Sequence, residues 1–132
     1  MRIEEELKLD YSDVLFRPKR STLTSRKEVD LSRTYKFKYS QHEWSGIPIM
    51  ASNMDGVGEL GVAEKLSEFN MITCLTKQHD VKKFSQYKNL KTLYKNIALS
   101  IGIKKEDFER LDKALKEFSF LKFIWVDVAN GY

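Results

Sequence analysis

The sequence predicts an α/β fold built on a parallel sheet. Three observations carry this. Short apolar runs begin near residues 47, 71, 97 and 123, at almost even intervals. The intervals between them hold apolar residues at helical spacing. The runs themselves are continuously apolar rather than alternating, which is the pattern of strands covered on both faces.

The runs are Ile47-Pro48-Ile49-Met50-Ala51, Met71-Ile72-Thr73-Cys74-Leu75, Ile97-Ala98-Leu99-Ser100-Ile101 and Phe123-Ile124-Trp125-Val126-Asp127-Val128. After the first, Val62, Leu66 and Phe69 mark a helix over 59–69. After the second, Asp80 is a helix N-cap candidate and the helix runs to about Lys88. After the third, Phe108, Leu111, Leu115 and Phe118 share a face of a helix over 104–118. Glu106 and Asp107 lie early in it and Lys113 and Lys116 late, as the helix dipole favours. Residues 1–46 precede the repeat and are irregular. Tyr35-Lys36-Phe37-Lys38-Tyr39 alternates apolar and basic, as a half-exposed strand does, and the turn formers from Ser40 to Gly46 close a short hairpin.

A parallel sheet closes as an open doubly wound sheet or as a (β/α)8 barrel. A dinucleotide-binding glycine fingerprint would favour the first. Gly56-Val57-Gly58-Glu59-Leu60-Gly61 has the glycines, but it sits beyond the apolar run. The second strand then exits through Leu75-Thr76-Lys77-Gln78, with no acidic residue. A barrel needs eight βα units and roughly 250 residues. The expected fold is therefore the first half of a (β/α)8 TIM barrel, residues 47–132, preceded by an irregular N-terminal segment with a short β-hairpin, residues 1–46.

Composition removes several classes. The 132 residues are 42% hydrophobic and 12% aromatic, which argues against disorder. One cysteine excludes an internal disulfide framework and a cysteine-based zinc site. No apolar run approaches the ~20 residues of a membrane helix. Met1-Arg2-Ile3-Glu4-Glu5-Glu6 is no secretory signal, so a cytoplasmic protein is expected, with no membrane partner. The net charge of +4 is concentrated between Arg17 and Lys38, where eight basic residues face only Glu28 and Asp30. Such a stretch is a solvated face or a phosphate contact. It has neither zinc spacing nor an aromatic-glycine RNA signature, so no nucleic-acid partner is expected.

In parallel α/β folds the working residues sit where strands end. Here these are Ser52-Asn53-Met54-Asp55-Gly56, Thr76-Lys77-Gln78-His79, Ser100-Ile101-Gly102 and Asp127 to Tyr132. A carboxylate ending an apolar strand needs a partner, so Asp127 is expected to face a polar site or a helix N-terminus. Lys77 is a candidate phosphate contact. Cys74 lies inside a strand with no cationic neighbour and is expected to be a core residue. His42 is expected to be exposed and His79 to line a site. The two are far apart and suggest no metal pair.

Taken together, these residues resemble the GMP reductases of the IMP dehydrogenase/GMP reductase superfamily. The resemblance rests on Leu7-Lys8-Leu9, Asp13-Val14-Leu15 with Arg17-Pro18-Lys19-Arg20-Ser21, Trp44-Ser45-Gly46-Ile47-Pro48-Ile49, Asn53-Met54-Asp55 with Val57-Gly58, and Val126-Asp127-Val128-Ala129-Asn130-Gly131-Tyr132. IMP dehydrogenases, of which a fragment is the less favoured alternative, carry a different sequence at the Asp127 loop and an inserted regulatory domain. The resemblance implies a tetrameric TIM barrel that converts GMP to IMP and ammonia with NADPH. A barrel-loop cysteine attacks the purine, and a monovalent cation (K+) orders its loop. It further implies that Ser25 and Arg26 reach the NADPH of a neighbouring subunit. Lys77, Asp127, Val128 and Ala129 are implied as cofactor contacts, and Asn53, Met54 and Asp55 as a wall of the nucleotide site.

Two positions depart from the family pattern. Thr76-Lys77-Gln78-His79 stands where His-Lys-His is usual, and Gly56 stands where Thr is usual. The glycine-rich loop with the nucleophilic cysteine, and the cation loop, have no counterpart here. No catalytic residue and no metal ligand is therefore expected in the chain, which is expected to be an N-terminal portion inactive alone. The alternative is a non-catalytic half-barrel module that pairs with itself or with a full-length subunit.

Overall fold

The computed structural model describes residues 5–79, 84 and 93–131. The helix expected over 80–88 lies outside the described residues, apart from Phe84. The chain separates into two compact units, 1–30 and 31–132.

In the first unit no described residue is buried. Two 3₁₀ turns, Tyr11–Asp13 and Arg26–Glu28, are fixed by side chains. Asp10 Oδ1 accepts from Tyr11 N at 2.6 Å, and Asp13 Oδ2 accepts from Asp10 N at 2.9 Å. Ser25 Oγ accepts from Lys27 N at 3.3 Å. Two hydrogen bonds from Thr24, through its hydroxyl and its backbone, hold the Glu28 carboxyl below its ordinary value.

The second unit opens with an antiparallel hairpin, β1 (Arg33–Lys36) and β2 (Glu43–Gly46). It pairs Lys36 with Glu43, a favourable charge pair across the strands. The first strand ends earlier than its alternation suggested. Gln41 N–H turns back to Phe37 O at 2.9 Å, with Gln41 at φ 55, so Lys38 to Ser40 form the turn. His42 is half-buried rather than exposed, because its ring stacks on Phe37 and meets Phe123 edge-on.

Four parallel strands follow in sequential order, β3 (Met50–Ala51), β4 (Ile72–Leu75), β5 (Ile97–Ile101) and β6 (Phe123–Val126). The α/β class and the parallel sheet are as the apolar runs indicated. β3 is shorter than its run. Pro48 has no N–H to donate, and Ile49 N–H bonds to Ile47 O at 2.7 Å, so regular pairing begins only at Met50.

The central strands β4 and β5 are buried throughout. Their alternate residues feed two cores. Leu75, Ile97, Leu99 and Ile101 pack with Leu60 and Ala63 of helix α1 (Leu60–Ser67) and with Leu111 and Ala114 of helix α2 (Lys105–Glu117). Ile72, Cys74 and Ala98 point the other way and pack under Trp44 of the hairpin, with Phe123 beside them. Trp44 Nε1 donates to Asn96 Oδ1 at 3.0 Å within this buried patch. Asn96 immediately precedes β5, so this contact fastens the hairpin to the N-terminal side of the sheet. The hairpin leaves the C-terminal ends of the strands clear.

Helix α1 stops before Phe69, which is 59% exposed and not part of the buried face. Asn70 adopts φ 52 and closes the helix: Asn70 N–H reaches Ser67 O at 3.0 Å and Met71 N–H reaches Leu66 O at 3.1 Å. This is the left-handed helix stop that Asn tolerates better than most residues. Gly46 permits the hairpin to lie against it, since a Cβ on Gly46 would sit 2.1 Å from Asn70 O. In α2, Phe108 is exposed and the buried stripe runs through Leu111 and Ala114. No helix among the described residues is long and apolar enough to cross a membrane.

Trp44→Phe keeps most of the ring but leaves Asn96 Oδ1 buried and unpaired. The expected destabilisation is about 1–3 kcal/mol, read from urea unfolding. An unchanged midpoint would show that the hairpin is held by packing alone.

Candidate functional site

The parallel sheet brings the exits of β3, β4, β5 and β6 to one edge. Each exit contributes one element to a polar cluster. Asn53 follows β3, Lys77 follows β4, Gly102 follows β5 and Asp127 follows β6.

Lys77 and Asp127, fifty positions apart in sequence, form an ion pair. Lys77 Nζ lies 3.2 Å from Asp127 Oδ2 and donates to Asp127 O at 3.0 Å. Asp127 is positioned by the sheet: its N–H donates to Ile101 O at 2.8 Å, one rung beyond β6. The Asn53 side-chain amide also faces the Asp127 carboxylate. That contact, with the Lys77 ammonium next, holds the carboxyl below its ordinary value of 3.8. The partner that the sequence required of Asp127 is thus present twice over.

The pairing changes what Lys77 is suited to. An ammonium has three donors. Two are engaged by Asp127, and its charge is matched there. A spare hydrogen-bond donor remains, not a free cation for a phosphate. The pair is partly open, with side chains 33% and 44% exposed, so it organises the site more than it stabilises the fold.

Glycines allow the loops to close on one another. Gly58 is buried, and a Cβ there would meet Cys74 O at 2.5 Å. Gly58 O in turn accepts from Thr76 N at 3.0 Å, tying the loop after β3 to the end of β4. Gly56 adopts φ 74, so this turn is built for glycine where the family pattern has a β-branched residue. Met54 and Asp55 are exposed beside the turn, with Val57 N–H and Gly58 N–H both donating to Met54 O.

Asn53, Lys77 and Asp127 come together. Val128 follows half-buried and Ala129 exposed, on the same exit loop. Ser25 and Arg26 belong to the first unit, where Ser25 caps the turn that Arg26 begins. His79 turns away from the polar cluster: its ring packs 5.6 Å from Phe84 of the core. Cys74 is buried as expected, and burial pushes its thiol up to about 11. Among the described residues no group of metal-ligating side chains gathers.

Sequence reasoning named Gly102 at the exit of β5 but gave no site role to Asp107 or Arg110. Asp107 caps the first turn of α2 by accepting from Lys104 N at 3.3 Å. Arg110, one turn on, donates to Ser100 O at 3.0 Å and faces Asp107 at 3.9 Å. The signal was available in Gly102 directly after a strand, followed by an acidic first helical turn.

Comparison with known proteins places these features in context. No protein-family model matches the chain. Curated relatives match along its whole length. It is 47% identical over 137 aligned positions to the GMP reductase of Buchnera aphidicola subsp. Schizaphis graminum (strain Sg). It is 45% identical over 134 positions to the GMP reductase of Escherichia coli O81 (strain ED1a). It is 49% identical over 135 positions to that of Buchnera aphidicola subsp. Baizongia pistaciae (strain Bp). In each case all of this chain is covered, but only 38–39% of the relative. Over its full length the chain is therefore homologous to GMP reductases, as its motifs indicated, and it spans about two-fifths of their length.

Two outcomes follow from this geometry. Cys74 is expected to resist thiol-specific reagents at pH 8 in the folded chain and to react only on unfolding; rapid labelling of folded protein would contradict its burial. Asp127 has a lowered folded value, so its contribution to stability is present above the ordinary carboxylate value of 3.8 and disappears as pH falls through the lowered one. The urea midpoints of the native chain and Asp127→Asn should therefore differ at neutral pH and converge in acid. A gap that widens in acid would refute the assignment.

Proposed function

We propose that this chain is part of an NADPH-dependent GMP reductase, which reductively deaminates GMP to IMP and ammonia. The observation that carries this is its 42–49% identity to GMP reductases along its whole length. The cluster of Asn53, Lys77 and Asp127 at the strand exits supports it, because this is the edge at which parallel α/β enzymes build their sites. The sequential strand order supports a barrel: a doubly wound sheet reverses its order at a switch point, and β3 to β6 do not. On this reading residues 47–132 form the first four units of a TIM barrel, and residues 1–46 form its N-terminal extension.

NADPH, when bound, supplies hydride to the purine. This chain's residues bind and orient it. The Asp127 carboxylate accepts hydrogen bonds from the cofactor, and the third Lys77 N–H donates one. With its charge matched by Asp127, this lysine suits a hydroxyl or amide of the cofactor better than a phosphate. Val128 and Ala129 line the same loop. Ser25 and Arg26 supply a hydroxyl and a cationic fork to the cofactor of a neighbouring subunit in a homo-oligomer, a tetramer by family pattern. Asn53, Met54 and Asp55 form a wall of the GMP site. The attacking cysteine and the K+-binding loop come from the remaining length of the relatives, and the setting is cytoplasmic.

The test joins the chain to the remaining length found in its relatives and follows GMP-dependent NADPH oxidation. Oxidation is expected, with Asp127→Ala weakening NADPH binding at least about tenfold, as loss of a hydrogen bond to a charged group does. Failure of that assembled protein to consume NADPH with GMP would overturn the assignment.

A further inference from the structure

We propose that the cavity at the N-terminal ends of the strands is a second ligand site, suited to a phosphate monoester with a hydroxyl-bearing body. It lies at the opposite ends of the strands from Asn53, Lys77 and Asp127, and it stands independently of the reading given to them.

Two walls enclose a volume of about 410 Å3. The hairpin side carries Glu43 of β2. The sheet side carries Asn70 before β4, Lys95 and Asn96 before β5, and Lys122 before β6. Small-molecule sites commonly run from roughly 300 to 1,000 Å3, so this volume suits a metabolite rather than a lone ion.

Asn96 is the fixed element. It is 3% exposed. Its backbone is committed, since its N–H donates to Leu93 O at 2.8 Å and its carbonyl accepts from Thr73 N at 2.9 Å. Its Oδ1 accepts from Trp44 Nε1 at 3.0 Å, which sets the direction of the amide. Among the described residues its side-chain NH2 has no partner, and it is not sealed inside the core. Leaving a buried amide donor unmet costs free energy, and a ligand in the cavity that Asn96 lines can meet it.

Lys95 and Lys122 supply the charge. Among the described residues no carboxylate pairs with either ammonium. Lys122 Nζ spends one donor on Ser119 O at 3.3 Å and keeps two. Lys95 Nζ stands 6.0 Å from the centroid of the Tyr94 ring, a contact that uses none of its hydrogen-bond donors. Two ammonium groups and a buried amide donor therefore present donors only, as the acceptor oxygens of a phosphate require. Glu43 offers acceptors only. It repels the anion from the hairpin wall and suits a hydroxyl on the body of the ligand. With two cations against one carboxylate, the cavity favours an anion overall.

The test titrates ribose 5-phosphate into the native chain. Competitive acetylation by acetic anhydride is read by mass spectrometry at Lys95 and Lys122, with the exposed Lys65 as reference in the same sample. At ten times its Kd the ester is expected to lower acetylation of both lysines about tenfold and to leave Lys65 unchanged. Lys95→Gln and Lys122→Gln, both at exposed positions, are each expected to weaken binding about tenfold. Glu43→Gln is expected to weaken ribose 5-phosphate but not inorganic phosphate, and uncharged ribose is expected not to bind. Resistance of Cys74 to thiol reagents marks each variant as folded. No protection of Lys95 and Lys122 at millimolar ester overturns the proposal, as does undiminished binding by the two lysine variants. Protection of Lys77 in their place puts the ester at the strand exits and overturns it too. Inorganic phosphate binding as tightly as the ester overturns the assignment of a hydroxyl-bearing body.

Discussion

A parallel sheet must be covered on both faces, and among the described residues helices cover one of them. Trp44 resolves the other. Its ring packs over Ile72, Cys74 and Ala98, and its N–H finds Asn96 at the foot of β5. This single anchoring fixes the direction of everything else. Because the hairpin lies at the N-terminal ends of the strands, the C-terminal ends are left as the edge where polar residues can gather. The hairpin needs close backbone approach to do this, hence a glycine at position 46 against Asn70. The same Asn70 ends α1 in a left-handed turn, so helix stop, strand start and hairpin seat meet in one place.

At the opposite edge the organising force is electrostatic and local. Lys77 pairs with Asp127 across the exits of β4 and β6, and Asp107 faces Arg110 at the start of α2. None of these pairs is deeply buried, and exposed ion pairs add little to stability. Their effect is directional. Backbone bonds from Asp127 N–H to Ile101 O and from Arg110 to Ser100 O lock the groups to the sheet. Orientation thus comes from the rigid element and charge from the side chains, which is how a site is held ready for a ligand without a large energetic contribution of its own.

Much of this was legible in the sequence, for physical reasons. Continuous apolar runs marked β4 and β5 because those strands are buried on both faces. Asp127 announced a partner because a carboxylate at the end of an apolar strand needs one, and Asn53 and Lys77 supply it. Cys74 read as core because nothing near it in sequence would hold a thiolate. Other features depend on three-dimensional approach and left only faint marks. Pro48 delayed β3 by removing one donor from an apolar run. Phe69 matched the helical period but lies beyond the end of α1 at Ser67. Lys77 read as a phosphate contact until Asp127, far away in sequence, was placed beside it. Gly102 showed only as a glycine, because its meaning lies in the Asp107 oxygen that a side chain would strike.

The edges of the sheet connect fold and site. β6 is paired on one side only, and Ile124, Trp125 and Val126 are exposed along it. An unpaired apolar edge strand favours addition of further strand or helix. The relatives have the length for this, since the chain spans about two-fifths of them. Asp127 stands at the exit of this same edge strand. A strand or helix added along β6 would lie next to the exit that carries Asp127. Desolvation strengthens a pair that is already hydrogen-bonded and correctly placed, and penalises one that is not. The backbone bond from Asp127 N–H to Ile101 O and the bond from Lys77 to Asp127 O satisfy that condition within the four strands. The geometry of the pair is thus prepared by the four strands, and its energetic weight depends on what completes the sheet.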